Sequence, residues 1–463
     1  MGLKYDVIVI GGGPGGYPAA IRASQLGKRV AIVEERRGFG GECTLFGCIP
    51  SKTFIKYANV FWHARNSDFI LGRENAQPDF PKLMEKVSHI VSSISSGIEL
   101  LLKSYGVEIL RGRAVIVDER VVRVEGFGDI ESERIIIASG SEPTAPKNIS
   151  IDGAIILDNR SFFSLRRKPS SMIVLGGGYV GVELSTAMAK LGVEISIIEM
   201  MPNLLPGMDL DASRAIERRL SSLGVRIYKN CVVKDLRMSE AGVDVELSCG
   251  ERIYGEKMLV ATGRRPRVRD LGVEKIGVEI DERGFIKTDN RLRTSNPRIY
   301  ASGDVAGPPM LAHKAFIQAV VAGENVSGLD SVYSRSAIPM VVFSDPEIAQ
   351  IGISVEEARS RGFNPVSIRI PLGGVARASI EESEDGFIKM IYDNDSKKIL
   401  GFVIVSSNAS ELAGEASLII ENGMRLEDVE KAVHPHPTMS EVFKEVVEYA
   451  LGKSTHYIIR KRR

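Results

Sequence analysis

Two stretches of the chain carry the same hydrophobic signature. Each has a short apolar run, a glycine cluster, a segment of helical spacing closed by Leu-Gly, a second apolar run, and an acid. The first copy runs Tyr5 to Ile10, then Gly11, Gly13 and Gly16, then Leu26-Gly27, Arg29 to Val33 and Glu34. The second runs Ser171 to Leu175, then Gly176, Gly178 and Gly181, then Leu191-Gly192, Glu194 to Ile198 and Glu199. Predominantly apolar runs of this length predict buried strands of a parallel sheet. Glycine after leucine predicts a helix end, because it accepts the left-handed conformation there. The two copies place their acid at the same offset from the first glycine.

That spacing has a chemical reading. The first glycine permits a tight turn, the second lets the backbone approach a pyrophosphate, and the third lets the helix pack on its strand. The acid then accepts hydrogen bonds from ribose hydroxyls. One such turn is weak evidence, since glycine-rich turns also serve packing alone. Two in matching strand and helix contexts predict two dinucleotide sites.

Two more apolar strands end in glycine, Ile135 to Gly140 and Met258 to Gly263, near expected domain borders. Pro143, Pro146, Pro266 and the basic run Arg264 to Arg269 mark linkers. From Pro339 the pattern changes to short alternating strands, Gly386 to Tyr392 and Ile399 to Val405, with helices between them, as in an α+β domain. A chain of 463 residues exceeds one hydrophobic core, so about three domains are expected. The fold class is α/β, with two Rossmann-like domains and a C-terminal α+β domain. Borders are expected at 1–147, 148–267, 268–337 and 338–463. The basic end Arg460 to Arg463 reads as solvated.

Composition narrows the partners. Lys plus Arg number 60 against 59 Asp plus Glu, so no overall field favours nucleic acid or an anionic membrane. The N-terminus runs almost directly into a strand without a secretory pattern, and no apolar stretch is long enough to span a bilayer. A cytoplasmic location is expected. Four cysteines are too few for a secreted disulfide scaffold and fit a reducing compartment. Cys231 and Cys249 read as ordinary core or surface residues.

Cys43 and Cys48 lie a few residues after the first acid, in Gly40-Gly-Glu-Cys43-Thr-Leu-Phe-Gly-Cys48-Ile-Pro-Ser-Lys52. A redox pair is the first reading, with two buried thiols or part of a zinc site as alternatives. Zinc needs about four ligands, and the sequence offers no second close pair except His434 and His436. Thiol exchange also calls for a base, since the thiolate is the attacking species. Of six histidines, His436 stands out because Glu441 follows at a distance that lets a carboxylate orient an imidazole. Thr438-Met-Ser-Glu441 is equally a capping box for a helix over Val442 to Leu451.

Together these segments resemble the pyridine nucleotide-disulfide oxidoreductase family. The most specific are Cys43-x4-Cys48-Ile-Pro-Ser-Lys52, Gly178-Tyr-Val-Gly-Val-Glu183, Leu204-Leu-Pro-Gly-Met-Asp209, Ala301-Ser-Gly-Asp304, Leu311-Ala-His-Lys-Ala315 and His434-Pro-His436-Pro-Thr-x-Ser-Glu441. The resemblance implies FAD at Gly11, Gly13, Gly16, Glu34, Gly140, Asp304 and Ala312, with Asp304 holding the ribitol. It implies NAD at Gly176, Gly178, Tyr179, Gly181, Glu199 and Gly263, with Tyr179 covering the flavin until the nucleotide arrives. It also implies Lys52 paired with Glu183 beside the flavin ring and no metal. The catalytic set would be Cys43, Cys48, His436 and Glu441 in a homodimer, each subunit lending its histidine to the other, with a cis bond at His436-Pro437. The implied substrate is a dihydrolipoyl group, free or on a carrier domain of a 2-oxo acid dehydrogenase complex or a glycine cleavage system. The alternatives are reduction of a small-molecule disulfide by NAD(P)H, or a docking or electron-transfer flavoprotein.

Glu199 followed by Met200, Met201 and Pro202 offers no cation for a 2′-phosphate, which favours NAD over NADP. Two departures from the family pattern stand at the cysteines: Glu42 replaces a common threonine, and Thr44-Leu45-Phe46 replaces Leu-Asn-Val. A carboxylate facing Cys43 would raise the pKa of that thiol. Pro18, near the start of its helix, removes a donor at a place where the loss is tolerable.

Overall fold

The computed structural model describes residues 4–334 and 337–459; Arg460 to Arg463 lie outside them. The chain forms two compact units. One holds the N-terminal part through Pro169 with Lys257–Ser334, the other Ser170–Glu256 with the C-terminal part. This division is coarser than the four segments drawn from the sequence, and residues 148–169 and 257–267 fall in the first unit.

In the first unit, the apolar run Lys4–Ile10 pairs in parallel with Val30–Glu34 on one side and Gly128–Ile137 on the other. Glu108–Arg111 extends the sheet beyond Val30–Glu34, and Ile299–Ala301 joins Gly128–Ile137 in parallel. The hairpin strands Ala114–Asp118 and Val121–Val124 close the far edge in antiparallel pairing. Val7, Ile8 and Val9 are wholly buried, as the apolar end of that strand, Val7 to Ile10, requires. The first turn feeds the helix Tyr17–Gln25, with Pro18 in its first turn as expected, and Gly27 at φ 81° ends it. The strands after Gly140 and Gly263 meet as a two-stranded ribbon, Ser141–Pro143 against Arg264–Pro266.

The second unit repeats the theme. Ser171–Leu175, Glu194–Glu199 and Arg226–Lys229 pair in parallel, and Tyr179–Lys190 is the helix after the glycine turn. An antiparallel meander follows, Val233–Ser239, Gly242–Leu247 and Arg252–Gly255. One expectation is corrected here: Cys231 and Cys249 are bonded to each other as a disulfide across 18 residues. Cys231 follows the strand Arg226–Lys229, and the meander folds the Cys249 turn back onto it, which linear spacing does not reveal. Toward the C-terminus, five antiparallel strands stand in the order Met340–Val342, Glu347–Gly352, Ile399–Ser406, Phe387–Asp393, Pro365–Pro371. The helix Glu441–Ala450 packs on this sheet with Phe443 edge-on to Phe402, ring centres 5.2 Å apart. Among the described residues no helix is long and apolar enough to cross a membrane.

Candidate active site

The two glycine turns are built alike. Gly12 N–H donates to Glu34 Oε2 at 2.7 Å, and Gly177 N–H donates to Glu199 Oε2 at 2.7 Å. The other oxygen of each acid accepts from the backbone two residues on, Arg36 N–H at 2.9 Å and Met201 N–H at 2.7 Å. Both acids are buried, and each carboxylate keeps lone pairs for ribose hydroxyls. A Cβ on Gly16 would lie 1.8 Å from Gly11 O, and one on Gly181 would lie 1.9 Å from Gly176 O. The third glycine is therefore demanded by packing. A Cβ on Gly178 would meet nothing within 4 Å, and one on Gly13 would come no nearer than 3.5 Å to Gly41 Cα. An approachable backbone at a helix N-terminus fits an anionic pyrophosphate at both turns.

Cys43 lies on the short helix Gly41–Phe46, and Cys48 opens the helix Cys48–Asn66, where the helix dipole favours negative charge. The two side chains hydrogen-bond to one another, each half-buried. That hydrogen bond, then burial, then the charge of Cys48 push the Cys43 thiol well above its ordinary range, while Lys52 counters them. Burial would raise the Glu42 carboxyl, but Arg264 and Arg160, then Arg36, hold it below the usual carboxylate value.

The geometry explains why. Glu42 Oε1 accepts from Arg36 at 2.9 Å and from Arg160 at 2.6 Å, and Oε2 accepts from Arg264 at 3.0 Å. Arg36 and Arg160 also stack on the Phe46 ring, 5.2 and 5.7 Å from its centre. Glu42 and Phe46, the last residue of the second departure, thus serve the same pair of arginines, Arg36 and Arg160. From Glu42 a chain of contacts runs to the expected ribitol acid. Arg264 Nε donates to Ser141 Oγ at 2.7 Å, and Ser141 Oγ donates to Asp304 Oδ2 at 2.5 Å. Asp304 sits in the turn Gly303–Ala306, and Ala312 opens the helix Ala312–Val326. On that helix, buried Lys314 donates to Gly307 O, and burial lowers its pKa to about 8 against the raising effect of Asp304.

In the second unit, Tyr179 is half-buried at the start of its helix. Buried Glu183 accepts from Phe343 N–H at 3.0 Å. His436 Nδ1 meets Glu441 Oε1 at 3.0 Å, while Glu441 Oε2 accepts from Thr438 N–H at 2.9 Å. Glu441 therefore orients the imidazole and also ties down the turn before its helix. The capping box itself does not form: Thr438 Oγ1 turns to Pro435 O, and the helix begins at Glu441. His436-Pro437 is cis. The His436 side chain is 70% exposed, whereas His434 is buried against Glu415.

Sequence reasoning missed Arg36, Arg160, Arg264, Ser141 and Lys314. Arg264 lies in a basic run whose composition signals only a linker. Among the described residues no group of three or more His, Cys, Asp or Glu is arranged to hold a metal ion.

Comparison with known proteins is consistent along the chain. Residues 5–319 match the family model described as pyridine nucleotide-disulphide oxidoreductase, and residues 338–447 match the dimerisation domain of that family. The dihydrolipoyl dehydrogenase of Geobacillus stearothermophilus is 38% identical, over 99% of this chain and 98% of its own. Dihydrolipoyl dehydrogenase 2 of Haloarcula marismortui is 37% identical, over 97% and 98%. Among solved structures, LpdA of Mycobacterium tuberculosis aligns with TM-score 0.89 at 27% identity, covering 97% of this chain and 99% of its own. A HOCl-induced flavoprotein disulfide reductase of Escherichia coli aligns with TM-score 0.86 at 26% identity, covering 96% and 99%.

Proposed function

The chain belongs to the pyridine nucleotide-disulphide oxidoreductase family, and from that premise we propose that it oxidises dihydrolipoyl groups to the lipoyl disulfide and reduces NAD to NADH, with FAD as resident cofactor. The observation that carries this reading is the His436–Glu441 hydrogen bond in a chain that also holds the adjacent Cys43 and Cys48. Glu441 accepts from Nδ1–H and leaves Nε2 as the base.

The cycle starts from the Cys43–Cys48 disulfide. His436 Nε2 takes the proton of one substrate thiol, and Glu441 steadies the imidazolium. The resulting thiolate attacks Cys43 Sγ and expels Cys48 as a thiolate. The second substrate thiol closes the lipoyl disulfide and releases Cys43. Held at Gly11, Gly13, Gly16 and Glu34, FAD would supply two-electron chemistry between the reduced Cys43 and Cys48, which return to their disulfide, and NAD held at Gly176, Gly178, Gly181 and Glu199. Asp304 would hold the flavin ribitol. Glu199, with no cation in Met200, Met201 and Pro202, favours NAD over NADP.

The high exposure of His436 on a single chain supports a homodimer in which it completes the partner's site. The lipoyl group would arrive on a carrier domain of a 2-oxo acid dehydrogenase complex or of a glycine cleavage system. Four cysteines in 463 residues are too sparse for a secreted disulfide scaffold, which supports a cytoplasmic location with Cys231–Cys249 as the disulfide among the described residues.

The test is NAD reduction by dihydrolipoamide with FAD-replete protein, beside NADH- and NADPH-dependent reduction of a panel of small disulfides. Robust dihydrolipoamide turnover is expected. Its absence, with turnover of a small disulfide instead, would transfer the chain to the reductase reading; absence of both would leave docking or electron transfer. Cys48→Ser should abolish the long-wavelength absorption that a thiolate against oxidised flavin produces.

A further inference from the structure

The Cys231–Cys249 disulfide takes no part in that cycle, yet it stands directly behind the segment that reads the nucleotide. Cys231 N–H donates to Glu199 O at 3.1 Å, and Asn230 N–H donates to Met201 O at 3.3 Å. Met201 N–H and Gly177 N–H in turn hold the two oxygens of the Glu199 carboxylate. The loop carrying Cys231 is thus the backing of Glu199 to Met201. Its other side is fixed to the meander turn: Ser248 N–H donates to Val232 O at 2.9 Å, and Val232 N–H donates to Ser248 Oγ at 3.0 Å. The two sulfurs differ in access. Cys231 is 3% exposed, whereas Cys249 lies on the open turn between Gly242–Leu247 and Arg252–Gly255.

From this geometry we propose that Cys231–Cys249 is a second redox site, opened by small dithiols, whose state sets the affinity of the neighbouring turn for the nicotinamide nucleotide. The inference rests on the second turn as the NAD site but not on the dihydrolipoyl substrate. A dithiol thiolate attacks the exposed Cys249 Sγ, forms a mixed disulfide, and expels Cys231 as a thiolate, which takes up the proton the dithiol released. The second thiol of the same molecule attacks its own sulfur in the mixed disulfide, closes a ring, and releases Cys249. Two electrons and two protons pass from the dithiol to the cystine. A monothiol needs a second molecule to finish the reduction, in competition with reversal by Cys231. With the bond closed, the loop behind Glu199 is ordered before the nucleotide arrives. With it open, part of that ordering must be supplied on binding, and affinity falls.

The test uses FAD-replete enzyme purified without reductant. Alkylation under denaturing conditions and peptide mass mapping should recover the Cys231 and Cys249 peptides linked; brief dithiothreitol treatment of the folded enzyme should leave both labelled. Fluorescence titration with NADH then compares wild type with Cys249→Ser and with Cys231→Ala/Cys249→Ala. Both variants should bind NADH about three- to tenfold more weakly and raise KM for NAD, with kcat within about twofold. Flavin absorbance and the thermal midpoint report folding, and Cys249→Ser keeps the buried Cys231 in place should the double variant pack poorly. Unlinked peptides, a disulfide that resists dithiothreitol until the protein unfolds, or unchanged NADH affinity in a folded variant would each overturn the proposal. NADH binding is read without dihydrolipoamide, so a failure here is separable from a failure of the proposed activity.

Discussion

A carboxylate one residue from Cys43 ought to oppose its thiolate, but at Glu42 both oxygens are committed to guanidinium groups. The residue is better described as a positioning group that ties the cysteine helix to Arg264 and, through Ser141, to Asp304. The pairs are partly exposed, from 16% at Glu42 to 32% at Arg160, so Glu42→Gln should cost about 1–2 kcal/mol, less than breaking a fully buried pair. The folded pKa of Glu42 is lowered. Its stabilisation is therefore fully present above the unfolded carboxyl value, about pH 4.3, and is lost as pH falls through the folded value. Denaturant unfolding of wild type and Glu42→Gln should differ by a constant amount above about pH 5 and converge in acid; a gap that persists in acid would contradict the ion-pair account. His436→Gln should lower kcat with dihydrolipoamide by about 10²- to 10⁴-fold while FAD content stays at the wild-type level. A loss of flavin instead would assign the residue a structural role.

At the level of elements, the glycine turns separate packing from binding. Gly181→Ala places a methyl 1.9 Å from Gly176 O, which the turn cannot absorb, so the thermal midpoint should drop and nucleotide binding should vanish together. Gly178 has ordinary extended backbone, φ −77° and ψ −169°, with open space where a Cβ would go. Gly178→Ala should keep the wild-type midpoint yet weaken NADH binding, because the methyl occupies the face a pyrophosphate must approach. Equal effects from the two changes would deny the second turn its role. These elements are legible in the amino-acid pattern itself: the apolar runs and the Leu-Gly stops mark them, and the C-terminal strands expected near 386–392 and 399–405 form at Phe387–Asp393 and Ile399–Ser406. The capping pattern after His436 predicts a helix from Val442, one residue late, because Glu441 bonds His436 and Thr438 N–H while the helix already starts at Glu441.

For the whole molecule, the dimer reading makes a counting prediction. If each site draws its cysteines from one subunit and His436 from the other, refolding inactive Cys48→Ser and His436→Gln chains together should restore about a quarter of wild-type activity, since about half the symmetric dimers are mixed and each carries one complete site. Sites confined to one chain would restore none. The sequence by itself determined the periodic features: two repeated dinucleotide units, the acid at the end of each second strand, the cysteine pair and the histidine with its carboxylate. Those follow from local spacing, because strand and helix periods and turn geometry act over a few residues. Only the tertiary structure decided what depends on distant segments meeting. The Glu42 carboxylate meets Arg160 and Arg264 from elsewhere in the chain, and Arg160 also stacks on Phe46, as does Arg36. Cys231 and Cys249 become a disulfide because a meander folds the Cys249 turn back across 18 residues. In each case the deciding quantity is a through-space distance between side chains that no local period encodes.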